Sequence, residues 1–513
     1  MNIVIRTDAS LLIGSGHVMR CLVLANALTV KGFILYFAMR PQPGDLIEFV
    51  TRQGFEVLIL PALQVPSEDH TWLGVSSTQD ADDLCAILAC RQDLFVNAVV
   101  VDHYGIDQQW ETMVTQRLGC KMVVMDDLVR DHNAHLVIDQ TIHRSPDEYA
   151  LTNMHPNAFN ATGADYALLK PKFAQLHQHI TFTAPILSQL PAKTTILVAM
   201  GGVDLDNVTL TVLKALHPVS AKSITVTVLL SRQSPHFDTI ATFCAKHCDW
   251  VTHTDFIADM PQLISQHTIG IGAAGTSALE RACLGLPSII IPIADNQRTI
   301  ANELHQARAA LIVESPNIMS HLSDSLHTLQ THYSQFHQNG LTLTDGLGTN
   351  RVVTLLDQLL RFDGVNIVLR RATHDDIQQV YQWQCLPQTR QFALEPSIPS
   401  WEEHEQWMRL QLDSFGDYFY IIERVKDTEP VGVVRMDRKG VSSYQISIYV
   451  APEFHHQGIA SAALACIDEI HNNAIIFATV LTDNIASQQL FRRANYQRVA
   501  PDKFIRQSRV VEP

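Results

Sequence analysis

A glycine-rich stretch, Ile13-Gly14-Ser15-Gly16-His17-Val18-Met19-Arg20, lies between the first apolar run and the first helix-period segment of this chain. Glycines there let a backbone approach a ligand, and a helix N-terminus offers unpaired N–H groups to an anion. His17 stands where that helix begins. An imidazole can accept a proton near neutral pH, and the helix dipole favours its neutral form. These residues suit a general base beside a bound anion; they equally suit a glycine turn with a capping histidine. Further on, Met200-Gly201-Gly202-Val203-Asp204 ends another apolar run, and Gly272-Ala-Ala-Gly275-Thr276-Ser277-Ala-Leu-Glu280 turns from a strand pattern into a helix pattern. Such turns free backbone amides for a phosphate, and a Gly/Thr/Ser turn suits a diphosphate. Glu280, one turn into the helix, could hold the two hydroxyls of a ribose. Each piece alone is a common strand–helix turn, but their order along the chain argues for a nucleotide.

The elements that must position these groups are legible as continuous apolar runs: Ile3–Ile5, Ile34–Phe37, Val57–Leu60, Ala98–Val101, Met122–Met125 and Leu136–Ile138. Runs of this kind are expected of parallel strands buried on both faces. Helix-period segments such as His17–Val30 and Asp80–Cys90 separate them, the signature of a doubly wound sheet. Residues 171–193 have no clean period and read as a linker. Alternation restarts with Thr195–Met200, Ser223–Leu230, Trp250–Thr252, Thr268–Ile271, Ser288–Ile293 and Ala310–Val313. This predicts two Rossmann-like lobes, 1–175 and 190–360, with ligands beyond the carboxyl ends of the strands. After the Arg361–Asn366 boundary, residues 366–513 run strand, helices, hairpin-like strands (Tyr418–Glu423, Val431–Asp437, Tyr444–Val450), then helix, strand and helix. That is a separate α+β domain.

With the lobes in place, the motifs resemble a known family. Arg6-Thr-Asp8-Ala-Ser followed by Ile13-Gly-Ser-Gly-His17-Val-Met-Arg20-Cys-Leu is similar to the sugar-nucleotide hydrolases of pseudaminic acid biosynthesis. So are Val101-Asp-His-Tyr104-Gly-Ile-Asp107, Met125-Asp-Asp-Leu128, Tyr166-Ala-Leu-Leu and Asp295-Asn-Gln297. The resemblance covers residues 1–360. It implies the two-lobed GT-B architecture and inverting, metal-independent water attack on UDP-2,4-diacetamido-2,4,6-trideoxy-β-L-altropyranose, releasing UDP. By motif it makes His17 the base and places Gly14, Gly16, Arg20, Tyr104, Asn296 and Gln297 around the sugar. The UDP would lie against Gly201, Gly202, Asp204, Gly275, Thr276, Ser277 and Glu280, as at the UDP site of the related lipid II-forming transferase. Asp126-Asp127 reads either as a metal pair or, more simply, as a helix cap or lobe-stabilising pair.

The tail carries its own motif. Ile446-Ser-Ile448-Tyr-Val450-Ala-Pro452-Glu-Phe-His455-His456-Gln457-Gly458-Ile459-Ala460 resembles the acetyl-CoA site of GNAT N-acetyltransferases, and Asn484-Ile-Ala-Ser487-Gln-Gln-Leu-Phe491-Arg-Arg-Ala-Asn495-Tyr496 resembles a later segment of that family. The resemblance implies that the backbone of Ile448 and Val450 pairs with pantetheine, that amides from His456 to Ala460 cradle the pyrophosphate, and that His455 and Asn484 lie beside the cofactor. Three positions depart from the family pattern. His455 and His456 replace the usual Arg or Gln followed by Gly, Phe491 stands where many members have a tyrosine acid, and Gln445 stands for a frequent Glu. Acid and base assignments therefore do not transfer, and a non-catalytic binding module remains an alternative.

Composition bounds these readings. The chain has 513 residues, 46% hydrophobic and 17% charged, which excludes wholesale disorder and calls for several domains. A net charge of −15, concentrated before residue 365, argues against nucleic acid or an anionic membrane as partner. Nine scattered cysteines without a C-x-x-C pair fit a reducing compartment, and Cys244, His247 and Cys248 lack the second ligand pair of a zinc site. No targeting or membrane-spanning segment is legible, so a cytoplasmic enzyme is expected. Its expected ligands are a UDP-linked amino sugar and acetyl-CoA, with no metal, and other enzymes of the same route are expected partners. The leading reading joins a UDP-sugar hydrolase to an acetyltransferase of the 4-amino group. The alternative is a GT-B glycosyltransferase whose tail binds without catalysis or acetylates another amine.

Overall fold

Apolar runs without polar alternation need cover on both faces, and in the computed structural model they form two parallel sheets. The structure describes residues 1–63, 72–156, 158–183, 193–218, 224–361, 365–414 and 416–509, without the side chain of Asn296. The first sheet contains β1 (Asn2–Thr7), β2 (Ile34–Met39), β3 (Glu56–Ile59), β4 (Val96–Asp102), β5 (Lys121–Met125), β6 (Leu136–Asp139) and β7 (Phe159–Thr162), in the order β3-β2-β1-β4-β5-β6-β7. All neighbouring pairs are parallel. Ile3, Val4, Ile5, Val99 and Val100 are fully buried at its centre, and Leu84 and Trp110 from the helices Ser77–Ala89 and Gln108–Leu118 cover one face. β7 was not expected. Its sequence, Phe-Asn-Ala-Thr, has the mixed polarity of an edge strand.

The second sheet contains β8 (Thr194–Ala199), β9 (Ile224–Leu229), β10 (Val251–Thr254), β11 (Ile269–Gly272), β12 (Ser288–Ile290) and β13 (Ala310–Ile312), in the order β10-β9-β8-β11-β12-β13 and again all parallel. Strand order reverses between β1 and β4 in the first sheet and between β8 and β11 in the second. The segments leaving these four strands carry Gly14–Arg20, Tyr104, Gly201–Asp204 and Gly275–Glu280, while Asn296 and Gln297 follow β12. A doubly wound sheet opens its ligand crevice at such a reversal.

The third sheet contains β14 (Ile367–Arg371), β15 (Tyr418–Arg424), β16 (Pro430–Gly440), β17 (Ser443–Val450), β18 (Ile475–Thr479), β19 (Gln497–Ala500) and β20 (Lys503–Arg506), in the order β14-β15-β16-β17-β18-β20-β19. Only β17 and β18 pair in parallel. The protein therefore has two Rossmann-like lobes in a GT-B architecture followed by an α+β domain.

By compactness the chain divides into two units, Met1–His177 with Pro185–Val353, and Gln178–Ala184 with Thr354–Pro513. The stretch read as a linker is in fact helical over Pro171–Thr183. Its buried face is Phe173, Ala174, His177 and Gln178. Two of these four are polar, so hydrophobic periodicity does not reveal the helix. Both polar side chains have partners, though Gln178 Nε2 is buried without one among the described residues. His177 Nδ1 donates to the Cys283 carbonyl at 2.7 Å, and Gln178 Oε1 accepts from Ser442 Oγ (2.7 Å) and Asn473 Nδ2 (3.2 Å). Among the described residues no helix is long and apolar enough to cross a membrane.

Candidate functional site

In the first lobe the turn after β1 is closed by Gly14 N–H donating to the Ser10 carbonyl at 2.8 Å. Gly14 has φ +78°, which favours glycine, and neither it nor Gly16 has any atom within 4 Å of where a Cβ would stand. The helix Gly16–Val30 starts here, and the Ser15 side chain makes no cap bond. His17 is thereby brought against the end of β4. Its Nδ1 lies 2.5 Å from Asp102 Oδ1. Arg20, one turn along the same helix, grips that carboxylate with Nε (2.6 Å to Oδ2) and a terminal nitrogen (2.6 Å to Oδ1). Burial opposes ionisation of Asp102, yet Arg20 and His17 together hold its carboxyl well below the usual carboxylate range. An ionised Asp102 can only accept, so His17 Nδ1 is the donor in this contact, and any role of the ring as a base falls to Nε2. Arg20 was expected to touch the sugar. It is 8% exposed; Nε and one terminal nitrogen bind Asp102, while the other terminal nitrogen lies 4.0 Å from Asp127 Oδ2.

Tyr104 stands edge-on to the His17 ring, with centroids 4.8 Å apart, and its hydroxyl donates to Asp127 Oδ2 at 2.7 Å. The adjacent carboxylates separate in role. Asp126 accepts from the backbone (2.9 Å) and Nε (2.8 Å) of Arg130 and from the Tyr149 hydroxyl (3.0 Å), a lobe-stabilising arrangement. Asp127 faces Tyr104. Among the described residues no three of His, Cys, Asp and Glu converge as a metal site requires.

In the second lobe Gly201 has φ +94°, and a Cβ at Gly202 would stand 3.3 Å from Ser15 Oγ of the first lobe. The two glycine turns therefore face each other. Asp204 was expected to meet the diphosphate through its backbone. It is 4% exposed, and its carboxylate caps the helix Val208–Leu216 by accepting from Val208 N and Thr209 N at 2.9 Å each, leaving only its backbone for a ligand. Gly275 precedes the helix Thr276–Cys283 without a side-chain cap, so its first amides remain for an anion. Thr276 Oγ1 accepts from Gln140 Nε2 at 3.1 Å and keeps its own proton to donate; Ser277 Oγ accepts weakly from Arg281 at 3.4 Å. Gln140 also comes from the first lobe.

Glu280 is partly buried and has no side-chain partner among the described residues. Burial pushes its carboxyl up to about 7 against the opposing pull of Lys170 and Arg281. Arg281 beneath it is buried and pushed down to about 10 by that burial. Gly270 and Gly272 make room for it, since Cβ atoms there would stand 2.7 Å from Arg281 Cδ and 2.9 Å from a terminal nitrogen. Gln297 Oε1 accepts from Ile293 N at 3.1 Å, and the side chain of Asn296 lies outside the described structure.

In the third domain β17 pairs with β18 only as far as Ile446↔Ala478, while its pairing with β16 runs on to Val450↔Gly432. The β18-facing edge of Ser447–Val450, including Ile448, thus has no ladder partner, as a splayed strand requires. His455 Nε2 donates to the Val450 carbonyl at 2.9 Å. His456 has φ +61° and Gly458 φ +80°, so the turn demands left-handed backbone at both positions. Gly458 precedes the helix Ile459–Ile470, again without a side-chain cap, and the amides at Ile459 and Ala460 face its N-terminal end. Gln457 is exposed, and its Nε2 reaches the Glu453 carbonyl only at 3.4 Å. Asn484 caps a helix with one of its side-chain atoms. Its Oδ1 accepts from Ser487 N at 3.0 Å and caps the helix Ile485–Arg493. Phe491 is 4% exposed against Tyr496 and Phe504, a core position.

Beside the splayed strand is a cleft of about 150 Å³ whose walls include Arg390, Phe392, Trp407, Arg435, Ser447 and Tyr449. The Arg435 guanidinium stacks 5.2 Å over Trp407. Sequence reasoning missed this cleft and missed Asp102 as the partner of His17. Asp102 lies inside the Val101–Asp107 motif, two residues before Tyr104. The cleft residues belong to separate elements, with no local signal to join them.

Comparison with known proteins agrees with this division. The acetyltransferase (GNAT) domain family matches residues 366–497, and the glycosyltransferase family 28 C-terminal domain matches residues 195–342. An uncharacterised protein of Methanocaldococcus jannaschii is 21% identical over 97% of each chain. A UDP-2,4-diacetamido-2,4,6-trideoxy-β-L-altropyranose hydrolase of Campylobacter jejuni is 22% identical over 48% of this chain and 76% of its own. The structure of Acinetobacter baumannii MurG is 15% identical and covers 70% of this chain and 99% of its own, with a TM-score of 0.48. The chain thus combines a glycosyltransferase-like, UDP-sugar-related part with an acetyltransferase domain of the kind that binds acetyl-CoA.

Proposed function

We propose that the first unit hydrolyses UDP-2,4-diacetamido-2,4,6-trideoxy-β-L-altropyranose to UDP and free 2,4-diacetamido-2,4,6-trideoxy-L-altrose. The second unit transfers the acetyl group of acetyl-CoA to the 4-amino group of the precursor UDP-amino sugar. The observation that carries the reading is the His17–Asp102 pair at the strand-order reversal, which presents Nε2 as a base. A water oxygen attacks the anomeric carbon as its proton passes to Nε2. The bond from that carbon to the UDP oxygen breaks, and configuration inverts. The Nδ1 proton stays with the imidazole, oriented and stabilised by Asp102. Charge gathering on the departing diphosphate is met by amides at Gly201–Gly202 and Gly275–Ser277, a stabilisation that grows along the reaction. Glu280 takes the ribose hydroxyls, and Tyr104, Gly14, Gly16, Asn296 and Gln297 surround the sugar. Arg20 acts through Asp102.

In the second unit the free edge of Ser447–Val450 and the left-handed turn ending at Gly458 fit an extended pantetheine and a pyrophosphate, and acetyl-CoA supplies the acetyl group when bound. The cleft with Trp407, Arg435 and Tyr449 receives the amine. Two consecutive steps would then share one polypeptide, in the cytoplasm to which its unpaired cysteines are suited, with other enzymes of the route as partners.

The test is NMR of the purified full-length protein with the UDP-4-amino sugar and acetyl-CoA, following acetylation and UDP release together. Free sugar appearing without any acceptor supports hydrolysis. UDP release that depends on an added acceptor supports glycosyl transfer instead, the reading favoured by the match to the glycosyltransferase family 28 C-terminal domain.

A further inference from the structure

Asp127 follows β5, beside the strand that ends in Asp102, and only 8% of it is exposed. One carboxylate oxygen, Oδ2, accepts from the Tyr104 hydroxyl at 2.7 Å and lies 4.0 Å from Arg20. The other, Oδ1, is buried and has no hydrogen-bond partner among the described residues. Buried polar atoms of folded proteins are nearly always paired, because an unmet acceptor away from water opposes folding. The neighbouring Asp126 meets that expectation and Asp127 does not. The orphan oxygen sits among the groups already placed around the reacting sugar: Tyr104 holds its sister oxygen and stands edge-on to His17, while Arg20 ties Asp102 to the same corner. Burial pushes the Asp127 carboxyl up, with Arg20 and Tyr104 opposing, as befits a group whose solvation is incomplete until something else supplies it.

We infer that Asp127 is a sugar-recognition residue whose Oδ1 accepts a hydrogen bond from an N–H or O–H of the sugar ring, while Oδ2 orients the Tyr104 hydroxyl. This rests on reading the first unit as a UDP-sugar site. It assigns to Asp127 the selection of the sugar and none of the affinity for UDP, whose diphosphate and ribose belong to the second-lobe turns.

Calorimetry with UDP and with the diacetamido UDP-sugar tests it on the full-length protein. Asp127→Leu keeps the branched shape but removes both acceptors. It should weaken the UDP-sugar roughly 10- to 100-fold and leave UDP within about twofold, as expected for loss of a bond to a charged acceptor. Asp127→Asn, which can turn its amide oxygen to the ligand and its NH₂ to the Tyr104 oxygen, should retain most of the sugar affinity. Unchanged UDP-sugar affinity in Asp127→Leu, or an equal loss for UDP, overturns the inference. Should Asp127→Leu not fold, carboxyl-13C aspartate NMR of the unmutated protein decides. The Asp127 resonance, identified by its absence in Asp127→Asn, should move with the UDP-sugar and stay still with UDP, and a resonance unmoved by the UDP-sugar overturns the inference. Sugar binding without turnover in the unmutated protein would fail the hydrolase reading and leave the role of Asp127 intact. Turnover combined with an insensitive Asp127→Leu would fail Asp127 alone.

Discussion

His17 and Asp102 are 85 positions apart and meet at 2.5 Å, one at the start of the helix after β1 and the other at the last residue of β4. The contact exists because β1 and β4 are neighbours at the point where the first sheet reverses its strand order. The same reversal opens the crevice and orients the His17 imidazole within it.

Replacing His17 by Ala should reduce UDP release roughly 10²- to 10⁴-fold, the usual loss for a general base. UDP affinity should stay within a few-fold, since the nucleotide is assigned to the second lobe. Initial rates and calorimetry on the same preparation check both halves, and near-normal turnover would remove His17 from the mechanism.

Asp102→Asn should lower turnover by at least roughly 10²-fold by releasing the tautomer of His17. It also has a stability signature. The carboxyl of Asp102 is depressed in the folded protein, so its contribution is fully present above about pH 4 and is lost as pH falls below that value. The stability gap between the unmutated protein and Asp102→Asn, measured by denaturant titration, should therefore be wide at pH 7 and narrow toward pH 3.

Glu280→Gln should weaken UDP by roughly 10- to 100-fold, the range for charge-assisted hydrogen bonds. With its carboxyl raised to about 7, Glu280 gains its charge as pH rises through neutrality. UDP should bind more tightly at pH 8 than at pH 6, and the change should be smaller in Glu280→Gln. The variant subtracts the titration of UDP itself. Identical pH profiles would place the ribose elsewhere.

Gly458→Glu should abolish acetyl-CoA binding, because it forces a side chain into left-handed backbone and sets a negative charge beside the pyrophosphate turn. UDP release should be unaffected. Conversely, His456→Gly relieves a left-handed non-glycine residue and should raise the unfolding free energy by roughly 0.5–1 kcal/mol. Thermal melts with and without acetyl-CoA read both effects.

Much of this protein is determined by sequence alone. Parallel strands buried on both faces must be continuous apolar runs, so nearly every central strand of the two lobes is legible, as are the glycine turns after β1, β8 and β11, whose backbone needs are local. Tertiary structure decided what those turns do. Asp204 and Asn484 settle locally, each capping its own helix through amides three to five positions further on. The helix Pro171–Thr183 is invisible to periodicity because its buried face includes His177 and Gln178, polar groups that only partners brought from elsewhere in the chain could satisfy. The pairing of Asp102 with His17, the orphan oxygen of Asp127 and the cleft beside Trp407 and Arg435 depend on strand order and on approaches between distant segments. No local pattern encodes these, because hydrogen-bond partners and unpaired atoms arise only once the sheets have brought their loops together.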